Sequence, residues 1–304
     1  MPTQPILDLH THSNRSDGLD TPAYLMTRAK QLGLDLISLA DHDTTDGWKE
    51  GLDTAVELEL GFVPAIEIST HSEVQSEQGS RRISVHILAY RPDQNHPGLV
   101  AELSKTRESR VSRAKRMVEL ISKDYPINWQ EITENIRPGS TVGRPAIADA
   151  LVRAGVVKDR SAAFESILHK SSPYYISEHS LNTLEAIQLA LDAGAAPVIA
   201  HPLIDFPAGK SLSDLPDAHF REMVDAGLMG LEVDHRQVPE NARSWLRDFA
   251  KRHDLFITGS SDYHGIGGKV NELGENSTTV ENFRRLIAQS SGSDYYLPPA
   301  LDWL

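Results

Sequence analysis

Cysteine is absent from the 304-residue sequence. The chain can therefore form neither disulfide bonds nor thiolate metal sites, and any metal ion must be bound by histidine, aspartate or glutamate. A protein without disulfide bonds does not depend on an oxidising compartment, so we expect it in the cytoplasm.

Long hydrophobic runs are also missing. No apolar stretch approaches the roughly 18 residues that a membrane-spanning helix requires. The first ten residues, MPTQPILDLH, have neither the basic start nor the long apolar centre of a secretory signal. We therefore expect neither export nor a membrane partner.

Positive charge is in deficit, with 30 Lys and Arg against 43 Asp and Glu and a formal net charge of −13. An extended nucleic-acid surface needs an excess of cations to displace counterions, so none is expected. A small phosphorylated substrate, including a nucleotide or the end of a short oligonucleotide, is compatible with this charge where metal ions or a few basic residues offset it. No obligate protein partner is evident.

The remaining composition, 39% hydrophobic and 24% charged, is that of an ordinary globular protein. Short apolar strands alternate with amphipathic helices over residues 1–94 and again over 183–304. The first helix, for example, has Thr21 as N-cap, Pro22 at its first position and Gly33 as its stop. This alternation predicts an α/β barrel of parallel strands with helices outside. Residues 95–182 show only helical spacing and predict a helical insertion domain.

Histidines and carboxylates follow the predicted strands. Because the carboxyl ends of strands in α/β folds meet at one cleft, we expect these side chains to converge there. Nine of them are candidate metal ligands: His10, His12, Asp17, His42, Glu67, His86, His201, Asp262 and His264. Taken singly, a strand-end histidine is more often a hydrogen-bonded structural residue, and Asp17, Asp41 or Asp262 could cap a helix or turn. Their number favours metal binding.

The number of candidate ligands also exceeds what one ion uses. A hydrolytic zinc site takes three protein ligands and a water, so this set predicts two or three divalent ions with shared ligands. Such clusters generate hydroxide near neutral pH and hold the oxygens of an in-line displacement. The sequence therefore predicts hydrolysis of phosphate esters.

The ordered motifs HTHSNRSDG, ADHDT, EIS, HILAY, AHP and GSSDYHG resemble those of the PHP (polymerase and histidinol phosphatase) superfamily. The resemblance implies a distorted (β/α)7 barrel, a di- or trinuclear centre and manganese or iron, with zinc as an alternative. By motif, it implies three groups of ligands: His10, His12, Glu67 and Asp262 for the first ion, Glu67, His86 and His201 for the second, and Asp17, His42 and His264 for the third. Glu67 would bridge the first two ions. Some members carry histidine where Asp17 stands.

The insertion, through GRPAIADALVRAG, resembles the group that includes bacterial 3′,5′-nucleotide bisphosphate phosphatases and short-RNA 5′-exonucleases. The resemblance implies that Arg144 grips a phosphate, since a guanidinium does so with two parallel hydrogen bonds. Alternatively, Arg144 only begins a helix. The chain departs from the pattern at Ala146, commonly histidine, and at Ser172, commonly a basic residue, and Lys170 could substitute in binding substrate.

Two further residues and one basic stretch complete the predicted site. Asp41 either orients an imidazole or transfers a proton, and with Glu67 and Arg144 it makes up the predicted catalytic set. His235, after the strand MGLEVDH, is a predicted substrate contact. The basic stretch 105–116 is interpreted as a solvated helix face from which Arg107 or Arg110 could reach a phosphate-rich substrate.

The predicted function is that of a metal-dependent phosphoesterase. A metal-bridged hydroxide would hydrolyse nucleoside 3′,5′-bisphosphates or 5′-phosphorylated short RNA. One alternative is a phosphatase for a small metabolite such as histidinol phosphate. Another is a metal-stabilised binding domain without activity.

Overall fold

The computed structural model describes residues 4–76, 79–135, 142–177, 180–203 and 217–304. One sheet runs through the described chain and contains eight strands, seven of them on a continuous path. In spatial order the path is β1 (Leu7–Thr11), β2 (Leu36–Leu39), β3 (Gly61–Ser76), β4 (Gly79–Tyr90), β6 (Ala196–Ile199), β7 (Gly230–Asp234) and β8 (Phe256–Gly259). The short strand β5 (Leu181–Asn182) pairs with β3 outside this path.

The two ends of the path meet. Backbone N–H of His12 donates to the carbonyl of Tyr263 at 2.9 Å, and that of Asp262 donates to the carbonyl of His10 at 2.8 Å. The sheet is therefore a nearly closed barrel, and the predicted α/β barrel fold is confirmed.

Strand direction departs from a uniformly parallel barrel at β4. The pairs β1–β2, β2–β3, β6–β7 and β7–β8 are parallel, but β4 is antiparallel to both β3 and β6. Only two residues separate β3 from β4 in the sequence. A parallel pair needs a crossover of a dozen residues or more, so these strands form a hairpin instead.

Helices cover the barrel. They are α1 (Pro22–Gln31), α2 (Trp48–Glu57), α7 (Thr183–Asp192), α8 (Asp217–Asp225), α9 (Glu240–Arg252) and α10 (Val280–Ala288), with a final 3₁₀ turn at Pro299–Leu301. The predicted signals of the first helix are present: the Thr21 hydroxyl accepts from the N–H of Tyr24 at 3.2 Å. Gly33, beyond the helix end, has φ +81°, a conformation that glycine adopts without steric cost.

Among the described residues between β4 and β5 there are four helices: α3 (Pro97–Ile121), α4 (Trp129–Glu134), α5 (Arg144–Arg153) and α6 (Arg160–Glu165). They share a hydrophobic cluster that includes Met117, Ile147 and Leu168, separate from the clusters around the barrel strands. β5 falls within the last two residues of the predicted insertion 95–182, whose bounds stay a prediction. In the described part of the chain, no helix has both the length and the apolar character needed to cross a membrane.

Candidate metal centre

The predicted ligands come together at one end of the barrel. Three groups bring one potential ligand atom from each member within 4.8 Å of the others: His10, His12, Glu67 and Asp262; His12, Asp17, His42 and His264; and His42, Glu67 and His86. The remaining candidate, His201, joins through Nε2, which lies 3.1 Å from Oε1 of Glu67. All nine candidates therefore belong to one connected cluster.

Glu67 lies at the centre of this cluster and is almost completely buried. Its Oε2 lies 3.1, 3.0 and 3.2 Å from ring nitrogens of His10, His12 and His42. Its Oε1 lies 2.6 and 3.1 Å from those of His86 and His201. Burial raises the pKa of Glu67, but the surrounding imidazoles, His42 and His86 foremost, hold it well below its usual value. Each oxygen faces a different set of histidines, as in a bridging ligand.

Backbone pairing places the residues after β2 beside Glu67. His42 forms a parallel bridge with Glu67, and the N–H of Asp43 donates to the Glu67 carbonyl at 3.2 Å. His86 lies near Glu67 because β4 runs antiparallel to β3, which places His86 opposite Ser69. The antiparallel hairpin thus brings in a histidine that does not lie at a carboxyl strand end.

Asp17 lies in the loop after β1. Oδ1 of Asp17 is 3.2 Å from Nε2 of His264, and Oδ2 is 3.9 Å from Nε2 of His42. A Cβ at Gly18 would stand 2.6 Å from the carbonyl oxygen of His12, so only glycine lets the loop double back there. The Asp-Gly pair places the Asp17 carboxylate beside the histidines, where a ligand would have to be.

Strained backbone occurs at two residues of the cluster. His201 has φ +29° and Asp262 has φ +54°, a region that residues with a side chain rarely occupy. Such conformations persist where the surrounding structure enforces them, and they concentrate at functional sites.

The donor set fits divalent metal ions. In the part of the chain that the structure describes, His42 Nδ1, His264 Nε2 and Asp262 Oδ1 are buried without a hydrogen-bond partner. Buried polar atoms normally have partners, and a cation would supply one to each. Imidazole nitrogens with carboxylate oxygens suit manganese, iron and zinc alike. The cluster could therefore hold metal ions, as predicted, and the ligand roles stay a prediction.

Glu232, on β7, belongs to the site although it was not predicted. Its Oε1 accepts from Nδ1 of His10 at 2.9 Å and from the Ser260 hydroxyl, and its Oε2 accepts from the backbone N–H of His201 at 2.7 Å. Burial raises the pKa of Glu232, but His10 above all lowers it, to about 2. A carboxylate that holds the second nitrogen of a metal-ligating histidine fixes the ring orientation. A charged residue within the apolar run MGLEVDH was the available signal.

Asp41 makes its contacts with the loop after β1. Its Oδ1 accepts from the N–H of Ser13 at 2.8 Å and the Ser16 hydroxyl at 2.6 Å, and its Oδ2 accepts from the Ser13 hydroxyl at 2.6 Å. Burial raises the pKa of Asp41. These contacts support a role in holding the loop that carries His12 and Asp17. The predicted transfer of a proton by Asp41 stays a prediction.

His235 lies beside the candidate metal centre, and its predicted role as a substrate contact stays a prediction. Its side chain is fully buried, and Nε2 lies 3.5 Å from Oδ2 of Asp262. Nδ1 accepts from the N–H of Gln237 at 3.2 Å, which leaves the ring proton on Nε2, toward Asp262. His235 therefore contacts a candidate metal ligand.

The predicted substrate contacts of the insertion occupy different places. Arg144 begins α5, and its guanidinium carbon lies 5.2 Å from the ring centroid of Phe164 and 5.9 Å from that of Tyr175. Lys170 is exposed beyond α6, Ser172 lies in the following turn, and Ala146 is half-buried on α5. Their roles toward substrate stay predictions.

Two arginines of α3 contact the loop after β2 and are not simply solvated. Nη2 of Arg110 lies 2.5 Å from Oδ2 of Asp43 and 2.8 Å from Oγ of Ser69. Nη1 of Arg107 lies 3.1 Å from Oδ2 of Asp46. The interpretation of the basic stretch as a solvated face is wrong for Arg110, which pairs with the buried Asp43, whereas the Arg107–Asp46 pair lies at the surface.

Comparison with known proteins agrees with this geometry. The profile of the PHP domain matches residues 8–138. A 3′,5′-nucleoside bisphosphate phosphatase of Chromobacterium violaceum is 30% identical over 275 residues, which cover 88% of this chain and 90% of that protein. The chain belongs to the PHP family.

Further PHP relatives extend the match over nearly the whole chain. A 5′-3′ exoribonuclease of Haemophilus influenzae is 30% identical over 278 residues, 90% of this chain and 95% of that protein. A crystal structure from Bifidobacterium adolescentis, provisionally assigned as a metal-dependent phosphoesterase, superposes with a TM-score of 0.86 and 39% identity, covering 95% of this chain and 98% of the other. This PHP protein is therefore a metal-dependent phosphoester hydrolase, and the predicted family and enzyme class are confirmed.

Proposed function

We propose that this PHP protein hydrolyses the phosphate esters of nucleoside 3′,5′-bisphosphates or of the 5′-phosphorylated end of short RNA. The observation that carries the proposal is the bridging position of Glu67 between two sets of histidines. The C. violaceum and H. influenzae relatives, named for these two activities, support the substrate class.

The proposed ligand sets follow the motifs of the family. His10, His12, Glu67 and Asp262, which form one of the geometric groups, would hold one ion. Glu67 with His86 and His201 would hold a second, and Asp17, His42 and His264 a third. Manganese or iron is proposed for these positions, with zinc as the alternative. Bound divalent ions supply hydroxide near neutral pH and stabilise the charge that develops on the phosphoryl oxygens.

The chain's own residues orient the site around these ions. Glu232 holds His10 with Nε2 toward the cluster, and Asp41 holds the loop that carries His12. Arg144 is proposed to bind a phosphate oxygen of the substrate through its guanidinium, which is suited to paired hydrogen bonds. The aromatic rings beside Arg144 stabilise its charge through cation–π contacts.

A substrate comparison tests the proposal. Protein loaded with manganese, iron or zinc would be assayed for phosphate or nucleotide release from adenosine 3′,5′-bisphosphate, a 5′-phosphorylated oligoribonucleotide, histidinol phosphate and an aryl phosphate. We expect faster turnover of one of the first two, and loss of that activity in His10→Ala. His253→Ala, outside the cluster, is the matched control.

The same assay separates the alternatives. Preferential turnover of histidinol phosphate would identify a small-metabolite phosphatase. Metal binding that raises the melting temperature without turnover of any ester would identify a metal-stabilised binding domain. Either result would refute the proposed function.

A further inference from the structure

A lysine from the loop after His264 reaches into the candidate metal centre. Nζ of Lys269 lies 2.5 Å from Oδ2 of Asp262, while 38% of the lysine side chain remains exposed. The Asp262 side chain is 1% exposed. Lys269 therefore links solvent with a buried carboxylate of the cluster.

The two oxygens of Asp262 face different neighbours. Oδ1 points to the histidines, at 3.3 Å from His12 Nε2 and 3.4 Å from His264 Nδ1. Oδ2 points to Lys269 and, at 3.5 Å, to Nε2 of His235. The ammonium of Lys269 thus contacts Oδ2, and Oδ1 stays available to a metal ion. An ammonium has three N–H donors, and the contact with Asp262 uses one of them.

The loop that carries Lys269 lies at the surface. Ile266 and Val270, on either side of the lysine, are 64% and 78% exposed. Gly265 has φ +88°, and a Cβ there would stand 2.7 Å from Cβ of Leu19, so the close packing of this loop on the loop after β1 requires glycine. The loop forms part of the rim of the site, with the ammonium directed inward.

The negative charge of the cluster means that a phosphorylated ligand would bind more favourably with a cation at this rim. Asp17, Glu67, Glu232 and Asp262 place four carboxylates in the cluster, and these repel a phosphate anion at short range. A lysine ammonium is a compact charge that commonly binds phosphate. Lys269 already has its charge at the cluster, and 38% of its side chain is exposed.

We propose that Lys269 is a substrate-binding residue, which donates to a phosphate oxygen while it also holds Oδ2 of Asp262. The inference rests on the proposed function, since it assumes that a phosphate ester enters this site. It assigns the loop 265–271 as the edge of the site where the phosphate is received.

The experiment compares Lys269→Met and Lys269→Arg with the wild type. Lys49→Met is the matched control, because Nζ of Lys49 also contacts a carboxylate, Oδ2 of Asp53 at 2.6 Å, but on the outer helix α2. Metal content would be measured by elemental analysis. Binding of inorganic phosphate to each metal-loaded protein would be measured by calorimetry, followed by KM and kcat on the best ester.

We expect Lys269→Met to keep its metal and to weaken phosphate binding by about tenfold or more, the size expected for one hydrogen bond between charged groups. KM should rise by a similar factor and more than kcat falls. Lys269→Arg should recover part of the affinity, and Lys49→Met should match the wild type.

Two results would overturn the inference. One is unchanged phosphate affinity in Lys269→Met at equal metal content. The other is joint loss of metal and phosphate that saturating metal reverses, which would make Lys269 a positioning residue for Asp262 alone. A wild type that binds phosphate but hydrolyses no ester would refute the proposed function instead, while the binding comparison still decides the role of Lys269.

Discussion

Nδ1 of His10 donates to Oε1 of Glu232 across 2.9 Å, and both side chains are completely buried. The contact turns Nε2 of His10 toward Glu67 and Asp262. The other oxygen of Glu232 accepts from the backbone of His201. One carboxylate on β7 therefore contacts two candidate ligands, one on β1 and one just after β6.

Replacing Glu232 with glutamine should weaken metal binding by about 10- to 100-fold, as is typical when the partner of a ligating histidine is altered. Glutamine has one oxygen, so it cannot accept from both His10 and His201. Competition against a chelator of known affinity would measure the change. Glu240→Gln, at an exposed glutamate of α9, is the control. Unaltered affinity in Glu232→Gln would contradict the orienting role.

Asp41→Asn distinguishes the two roles of Asp41. The amide cannot accept all three hydrogen bonds from Ser13 and Ser16, so we expect a loss of about 1–3 kcal/mol in stability and a lower metal content. Both would be measured on the metal-loaded protein by denaturant unfolding and elemental analysis. A fall in kcat with stability and metal content intact would instead support proton transfer by Asp41.

Arg110→Ala should destabilise the protein more than Arg107→Ala, although both arginines project from α3 to the same loop. Asp43, the partner of Arg110, is fully buried and would lose a cationic partner away from solvent, at a cost of about 3 kcal/mol. The Arg107 pair, with its two side chains 36% and 60% exposed, should contribute about 0–1 kcal/mol. Urea unfolding of both variants would measure the difference, and equal losses would refute it.

Asp8 should make the metal-free protein less stable as the pH rises. Burial raises the pKa of this carboxyl from its ordinary 3.8 to about 6, although hydrogen bonds from Ser261 and Gly274 partly oppose the shift. Because the folded state holds the proton more tightly, the stabilisation is complete below pH 3.8 and is lost as the pH passes 6.

The experiment on Asp8 uses unfolding in a chelator. Relative to Asp8→Asn, the wild type should lose about 2 kcal/mol between pH 4 and pH 7. Asp53→Asn, at an exposed carboxylate of α2, controls for surface charge. A constant difference between wild type and Asp8→Asn across this range would refute the assigned shift.

The barrel and most of the cluster could be predicted because strand period and strand ends are local properties. His10 and His12 share a face by the period of two, and parallel strands bring Glu67, His201 and Asp262 to one edge. The direction of β4 depends instead on the two-residue connection between β3 and β4. The pattern of apolar residues within the strands gives no information about it. His86 therefore lies in the cluster for a different reason from the other histidines.

Residues whose role depends on tertiary packing were beyond prediction. Glu232 lies within an apolar strand and carries no motif, so only the approach of His10 reveals its role. Lys269 contacts Asp262 because glycines turn the loop inward. His235 was placed correctly after its strand, but its burial depends on the neighbouring strands and could not be read from spacing.

The closure between β1 and β8 has a consequence for how the protein acquires metal. The group formed by His10, His12, Glu67 and Asp262 draws on both ends of the barrel. A nascent chain on the ribosome cannot complete this group until Asp262 has emerged, long after the two histidines. The proposed first ion can therefore gain its full set of ligands only after Asp262 has been synthesised, and a translation product that ends before Asp262 lacks one of the four.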